Sequence, residues 1–382
     1  MRVLSVFIRS GSDGKAWGSE LSYLDLVNEL AELGIETDTL EGAPSISNYR
    51  PSKSRHYVNT SKGPLPVRLM HQTLDAFRIA KSRSPDVVFV PADYYPGSLL
   101  IANLVSIATR RPLFLEFLDQ FNVKNDQTPT ARLILQSFRG SRSIRSGLFV
   151  IVRRLSARRA SACFVVTQEM DDYARNVLGA RRTVLMGRGV RGAADVLQRV
   201  DKLHDGIFVG RLVKRKGLET LVRAWAEVVK TKPDASLVLV GSGDLYPRLR
   251  ALTSALGLER NLDITGYVND PSRIRSLLQS SRLFLFPSEV EGFARAVSEA
   301  MACGVPCLIS DIPNLREIYG KAAAFAAVGD PQEWAKKTIS LLDDEGELDL
   351  MSTRSVECAR GFEWSNSAKI VAVALDDAKR GR

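Results

Sequence analysis

PSEVEGFARAVSEAMACGVP, residues 287–306, is the stretch that decides how this chain is read. The apolar run Leu283–Phe286 before it reads as a buried strand. Residues 295–303 have helical spacing, Gly304 stands at the usual helix stop, and Val305–Ile309 reads as the next strand. A strand, loop, helix and strand in that order form a unit of a parallel sheet. Glu291 and Glu299 make a carboxylate pair eight residues apart. Along one helix that spacing is a rise of about 12 Å. Retaining glycosidases need about 5–5.5 Å and inverting ones about 6.5–9.5 Å. The pair therefore reads as two hydrogen-bond acceptors for hydroxyls at opposite ends of one extended ligand. Gly292 lets backbone approach that ligand closely. The amides of Phe293–Ala296 open the helix and are expected as free donors suited to an anion.

The same alternation extends outward in both directions. In the second half, strands are expected at 206–209, 237–240, 261–264, 283–286 and 305–309, with helices at 217–230, 245–256, 271–280 and 295–303 between them. In the first half, strands are expected at 3–8, 87–90, 113–117, 163–166 and 184–186, and helices at 19–33, 70–83 and 144–160. Residues 42–68, with four prolines, read as a long polar loop. The fold class is α/β: two Rossmann-like domains, 1–190 and 200–365, facing each other across a cleft, with a last amphipathic helix in 366–382. Ligands of such sheets bind beyond the carboxyl ends of the strands.

Composition is that of a globular protein of 382 residues, 45% apolar and 25% charged, which excludes a disordered tail, a collagen or a disulfide scaffold. Mean hydropathy is −0.06, and no run approaches a membrane span. The apolar start is too brief for a signal peptide, and Cys163, Cys303, Cys307 and Cys358 lack paired spacing, so reduced thiols in a cytoplasmic protein are expected. Three scattered histidines and the absence of a DxD in the second half argue against a metal site.

Net charge is +10, and its placement matters. Residues 1–195 hold 27 basic and 18 acidic side chains; residues 196–382 hold 26 and 25. Two acid-free tracts, 42–74 and 127–168, concentrate the excess. Within the second, Ile144–Ala160 mixes Leu148, Phe149, Val150 and Ile151 with Arg153, Arg154, Arg158 and Arg159, which suits a helix lying on an anionic bilayer. Such a one-sided field suggests an anionic partner: a membrane surface with a membrane-presented acceptor, a phosphorylated acceptor or nucleic acid. No aromatic-interleaved basic sheet points to nucleic acid.

The 287–306 stretch resembles the signature of the retaining, GT-B-fold nucleotide-sugar glycosyltransferases of the "glycosyl transferases group 1" family. Further matches follow in order: Gly210-Arg-Leu-Val-Lys-Arg-Lys-Gly217, Val240-Gly-Ser-Gly243, Gly266-Tyr-Val268, Ser310-Asp-Ile-Pro-Asn-Leu-Arg-Glu317 and Gly329-Asp-Pro331. The likeness covers 205–365 well and the first half weakly. It implies a retaining, metal-independent transferase using a UDP- or GDP-sugar as co-substrate and no other cofactor. It also implies that the last helix crosses back to the first domain. Such enzymes build cell-surface glycans or glycolipids, and the expected location is the cytoplasm or the inner face of the membrane.

The resemblance also implies residue roles. Arg211 and Lys216 would neutralise the departing diphosphate, a bidentate guanidinium and a compact ammonium being suited to that. Glu299 would bind the ribose hydroxyls, and Glu291 a sugar hydroxyl. Tyr267 and Val268 would border the base. Gly210, Gly292, Phe293, Ala294 and Arg295 would line the sugar-phosphate, and Gly18 would bring a helix N-terminus to the phosphates. The chain departs from the family pattern in four places. Trp17-Gly18 stands for a frequent double glycine, Ala294-Arg295 follows Gly-Phe, Leu118 replaces a frequent histidine, and Arg188-Gly-Val-Arg191 replaces Asn-Gly-Val-Asp. Other readings on this fold are a sugar phosphorylase, a nucleotide-sugar epimerase or a non-catalytic nucleotide-sugar-binding subunit.

Overall fold

The computed structural model describes residues 1–8, 18–42, 52–59, 61, 64–91, 96–117, 141–187, 189–190 and 201–380. The chain divides into two compact units, Met1–Gly189 with Trp364–Arg382, and Val190–Glu363.

The first unit is built on a seven-stranded parallel sheet of order β3-β2-β1-β4-β5-β6-β7. Its strands are β1 (Arg2–Phe7), β2 (Glu36–Gly42), β3 (Arg55–Asn59), β4 (Val87–Val90), β5 (Leu113–Glu116), β6 (Ala162–Val165) and β7 (Thr183–Leu185). One face is covered by α1 (Gly18–Glu32) and by the last helix of the chain, Trp364–Arg380. Tyr23 of α1 stacks on Phe7, and Trp364, Ala368, Val371, Ala374 and Leu375 bury their side chains in the same core as Val3, Phe89 and Phe164. The chain thus returns to its first unit. The opposite face carries α2 (Leu65–Arg83), α3 (Pro96–Thr109) and α4 (Ser141–Arg159). Arg83 of α2 closes on Asp38 of β2 (3.1 Å) there.

Two expectations need correction. The segment 42–68 is not a plain loop: it contains edge strand β3, and α2 begins at Leu65. Nor is Arg153 a membrane-facing arginine. It is 1% exposed, lies 5.2 Å from both the Phe117 and Tyr173 ring centroids, and donates to the Tyr173 hydroxyl (3.2 Å). Two ring faces and a hydroxyl make burying that cation tolerable.

The second unit is a six-stranded parallel sheet of order β10-β9-β8-β11-β12-β13. The strands are β8 (His204–Val209), β9 (Leu237–Val240), β10 (Leu262–Gly266), β11 (Ser281–Phe286), β12 (Cys307–Ser310) and β13 (Ala324–Ala326). Helices Leu218–Thr231, Tyr246–Ala255, Pro271–Gln279, Arg295–Ala302, Pro313–Tyr319, Pro331–Asp343 and Glu345–Arg360 complete it. Cys303 and Cys307 are buried in its core, as expected of packing residues, and burial pushes the Cys307 thiol well up. The unit closes on itself: the Val190 amide donates to the Phe362 carbonyl (2.7 Å), where the chain enters and leaves.

Candidate functional site

Strands β8 and β11 are neighbours in the second sheet, and the chain runs outward from them in opposite directions. Their carboxyl ends therefore flank the topological switch point, where an open parallel sheet leaves a crevice. Beyond β8 comes Gly210-Arg211-Leu212, then a short helical turn, Lys214–Lys216. Beyond β11 comes the 287–294 loop, then helix Arg295–Ala302.

These loops are stitched by backbone hydrogen bonds. The Gly210 amide donates to Val240 O (2.9 Å), Leu212 to Ser242 O (2.9 Å), Gly241 to Gly266 O (2.8 Å) and Glu289 to Arg215 O (2.8 Å). Two glycines make the fit possible. Gly217 has φ +63°, and a side chain there would overlap the Pro287 carbonyl oxygen. Gly241 lies with its Cα against the Gly210 carbonyl oxygen, where a Cβ has no room. The Gly-Ser-Gly turn after β9 is thus a spacer that lets β8, β9 and β10 end together.

Lys216 and Glu291, 75 residues apart in sequence, form a buried ion pair here, with side chains 11% and 8% exposed. The Lys216 ammonium also lies 4.6 Å from the Phe286 ring centroid. Burial, first of all, and the nearby Arg215 and Arg211 cations push Lys216 below its ordinary pKa, against the pull of Glu291. Glu291 receives a second hydrogen bond from the Ser288 hydroxyl (2.5 Å), and its carbonyl accepts from Asn314 Nδ2 (2.9 Å). The loop acid is held from three directions.

Glu291 lies before the helix, not on it, so the 12 Å helical rise does not describe the pair of glutamates. Glu299 is on the helix, its side chain 36% exposed, and accepts from Arg295 Nε (2.8 Å) one turn earlier. The expectation of four free amides over Phe293–Ala296 also fails in part, since the Arg295 amide donates to Phe293 O (3.0 Å). Ala294 and Phe293 are buried. The Tyr319 hydroxyl donates to Ala294 O (3.0 Å) and accepts from Ser298 Oγ (2.7 Å), which fixes the start of the helix. Burial raises the Tyr319 phenol well above its ordinary value, so it stays a donor.

Gly210, Arg211, Lys216, Glu291, Gly292, Phe293 and Ala294 therefore belong to two adjoining loops at one end of one sheet, and Arg295 and Glu299 to the helix that follows the second loop. Tyr267, 46% exposed, and half-buried Val268 follow Gly266 at the end of edge strand β10, two strands from β8. Gly18 is different: it is the first residue of α1, in the other unit. Trp17, Leu118, Arg188 and Arg191 lie outside the described residues. Ser288, Asn314 and Tyr319 were not singled out from sequence, although the first two stand inside quoted motifs. Among the described residues, no group of three His, Cys, Asp or Glu side chains could hold a metal ion.

An arrangement of a guanidinium, an ammonium, a helix start and two carboxylates can receive a ligand that is anionic in its middle and rich in hydroxyls at both ends. The two-sheet α/β architecture is that of the GT-B glycosyltransferases. It superposes on an Anabaena protein, HepE, crystallised with UDP and glucose, with a TM-score of 0.73 at 18% identity over 99% of this chain and 100% of that one. The model of "Glycosyl transferases group 1" matches residues 195–356, and that of "Glycosyl transferase 4-like domain" matches residues 18–189. The second unit thus carries a glycosyl transferases group 1 domain, and the first a glycosyl transferase 4-like domain. Among relatives, an N-acetyl-alpha-D-glucosaminyl L-malate synthase of Bacillus anthracis is 33% identical over 44% of this chain and 42% of its own length. A D-inositol 3-phosphate glycosyltransferase 2 of Catenulispora acidiphila is 26% identical over 94% of this chain and 90% of its own length. The chain spans less than half the length of the curated relatives it matches at 30–33% identity.

Proposed function

We propose that this protein is a retaining, metal-independent glycosyltransferase that moves a sugar from a UDP- or GDP-sugar to a membrane-presented acceptor in cell-surface glycan or glycolipid assembly. The observation that carries the reading is the Lys216–Glu291 pair at the β8–β11 switch point, flanked by Arg211 and the start of the Arg295–Ala302 helix. Lys216 and Arg211 stabilise the charge that grows on the departing diphosphate. Glu291 orients the sugar through a hydroxyl, and Glu299 holds the ribose. With two cations and a helix N-terminus at the phosphates, the leaving group needs no divalent ion, and the leaving phosphate itself can take the acceptor proton. Gly18 adds a second helix N-terminus, and Tyr267 and Val268 border the base. The structural neighbour crystallised with UDP and glucose supports the donor class. No helix among the described residues is long and apolar enough to cross a membrane. The excess of nine positive charges in residues 1–195 supports a peripheral position on an anionic surface.

A thermal-shift panel of UDP-, GDP- and ADP-sugars tests the donor. A ligand present at 100 times its Kd adds about 2.7 kcal/mol of stability. Transfer is then followed with the stabilising donor, with product configuration read by NMR and EDTA in one arm. No stabilisation by any nucleotide sugar, or an inverted product, removes the reading; loss of transfer with EDTA, restored by magnesium, removes its metal-free part.

A further inference from the structure

Helices α2, α3 and α4 lie side by side on one face of the first sheet. Asn103 of α3 donates to Ser156 Oγ of α4 (2.8 Å), and Arg159 donates back to Asn103 Oδ1 (3.2 Å), so these two are locked together. Helix α3, PGSLLIANLVSIAT, carries no charged residue. Leu99, Ile101, Ala102 and Val105 are its core side. Leu100, Leu104 and Ile107 are not: at i, i+4 and i+7 they form one stripe, 40%, 50% and 55% exposed.

The flanking helices repeat the pattern. Val67, Met70 and Leu74 form an exposed stripe on α2, and Ile151 and Leu155 on α4. Single exposed leucines are ordinary; matching stripes on three adjacent helices are not. Exposed cations stand among them or at their ends: Lys81 after the α2 stripe, Arg110 after α3, and Arg158 in line with Ile151 and Leu155. Neither α3 nor α4 contains an Asp or Glu.

We propose that the outer faces of α2, α3 and α4 dock the protein on an anionic lipid bilayer. The inference deepens the reading of a membrane-presented acceptor and rests on it. A bilayer offers hydrocarbon to the stripes and phosphate headgroups to the cations in one plane. A second copy of the chain fits less well, because a two-fold interface sets this face against itself and brings its cations together with no acid on α3 or α4 to meet them. The surface differs from the one the sequence suggested. It is centred on uncharged α3, and Arg153 takes no part, being inside.

The full chain is sedimented with phosphatidylglycerol vesicles and, separately, phosphatidylcholine vesicles at about 0.1 M salt. The wild type is expected with the first and not the second. Leu104→Glu/Ile107→Glu should weaken partitioning by about tenfold or more, and Arg110→Glu/Arg158→Glu should weaken it on phosphatidylglycerol alone. Both variants should keep the wild-type Tm and transfer to a soluble acceptor at the wild-type rate, since these residues are exposed and none is among the candidate site residues. Equal sedimentation of wild type and the leucine–isoleucine variant overturns the proposal, as does equal binding to both lipids. A wild-type dimer in light scattering that this variant dissociates gives the face to a second copy and also overturns it. Vesicle binding without transfer from any nucleotide sugar leaves the surface standing and removes the transferase reading. Transfer without vesicle binding does the reverse.

Discussion

Lys216, a candidate site residue, also holds structure. It is buried against Glu291 and Phe286, whereas Arg211 is exposed. Removing one member of a buried pair leaves the other charge uncompensated, at a cost of about 3 kcal/mol or more. Lys216→Met should therefore lower stability by that amount in urea unfolding, while Arg211→Ala leaves it near the wild type. Both should cut kcat by about tenfold or more, because the diphosphate charge they meet grows in the transition state. An unchanged kcat in both variants would sink the clamp. The same lysine sets a pH dependence. Its pKa is depressed in the free protein, chiefly by burial, and a diphosphate beside it raises it again. Binding then takes up a proton. Nucleoside diphosphate affinity is full below the depressed value and falls as pH rises through it toward the ordinary lysine range of about 10.4. Calorimetry above about pH 8, where the phosphates are already ionised, in buffers of differing ionisation enthalpy should show that uptake in the wild type and none in Lys216→Met. Affinity that is flat with pH and buffer would exclude it.

At the scale of elements, legibility followed apolarity. Val87–Val90 and Leu237–Val240 are continuous apolar runs, and both are strands within a residue of where they read. Strand β2, ETDTLEG, escaped because its buried positions are polar. Thr39 meets the Tyr23 hydroxyl (2.6 Å), Asp38 meets Arg83, and Glu41 meets His56. Each group is satisfied by a partner that sequence does not put beside it. Helix α3 escaped for the opposite reason, being apolar on both its buried and its exposed sides. The donor loops were legible as spaced glycines and acids. The Lys216–Glu291 pairing was not, since it depends on β8 lying beside β11, a fact of topology. The glycine logic yields a prediction. Gly217→Ala must hold φ near +63° and push its Cβ into the Pro287 carbonyl. The loss should exceed about 2 kcal/mol, and it should displace Lys216, so nucleotide affinity should fall as well. Glu299→Ala, on a helix face and 36% exposed, should do the reverse, weakening nucleotide binding with Tm unchanged. Wild-type calorimetry in Glu299→Ala would remove that residue from the site.

On the scale of the whole molecule, the two units are not equivalent as pieces of chain. Val190–Glu363 is one continuous segment whose ends meet: the Val190 amide donates to Phe362 O, and Val190 and Glu363 form a parallel bridge. Its core draws on side chains of that segment alone. The first unit is discontinuous. Residues 1–189 lack the helix Trp364–Arg380, whose Trp364, Ala368, Val371, Ala374 and Leu375 fill the sheet face beside α1. Gly189 lies directly against the Trp364 indole, and Ser367 donates to Gly187 O (2.5 Å). Three of these buried side chains are large, and at about 1.5–3 kcal/mol each they are comparable with much of the roughly 5–15 kcal/mol net stability of a typical domain. A fragment 190–363 should therefore unfold cooperatively on its own and keep the affinity for a nucleoside diphosphate, since Arg211, Lys216, Glu291 and Glu299 all lie within it. A fragment 1–189 should show no cooperative transition in urea, and joining residues 364–382 to its C-terminus through a flexible linker should restore one. Cooperative unfolding of 1–189 alone would mean that the returning helix is an accessory to that core instead of part of it. Loss of all nucleotide affinity in a folded 190–363 would assign a larger share of the donor to Gly18 and its unit than the geometry of the second sheet supports.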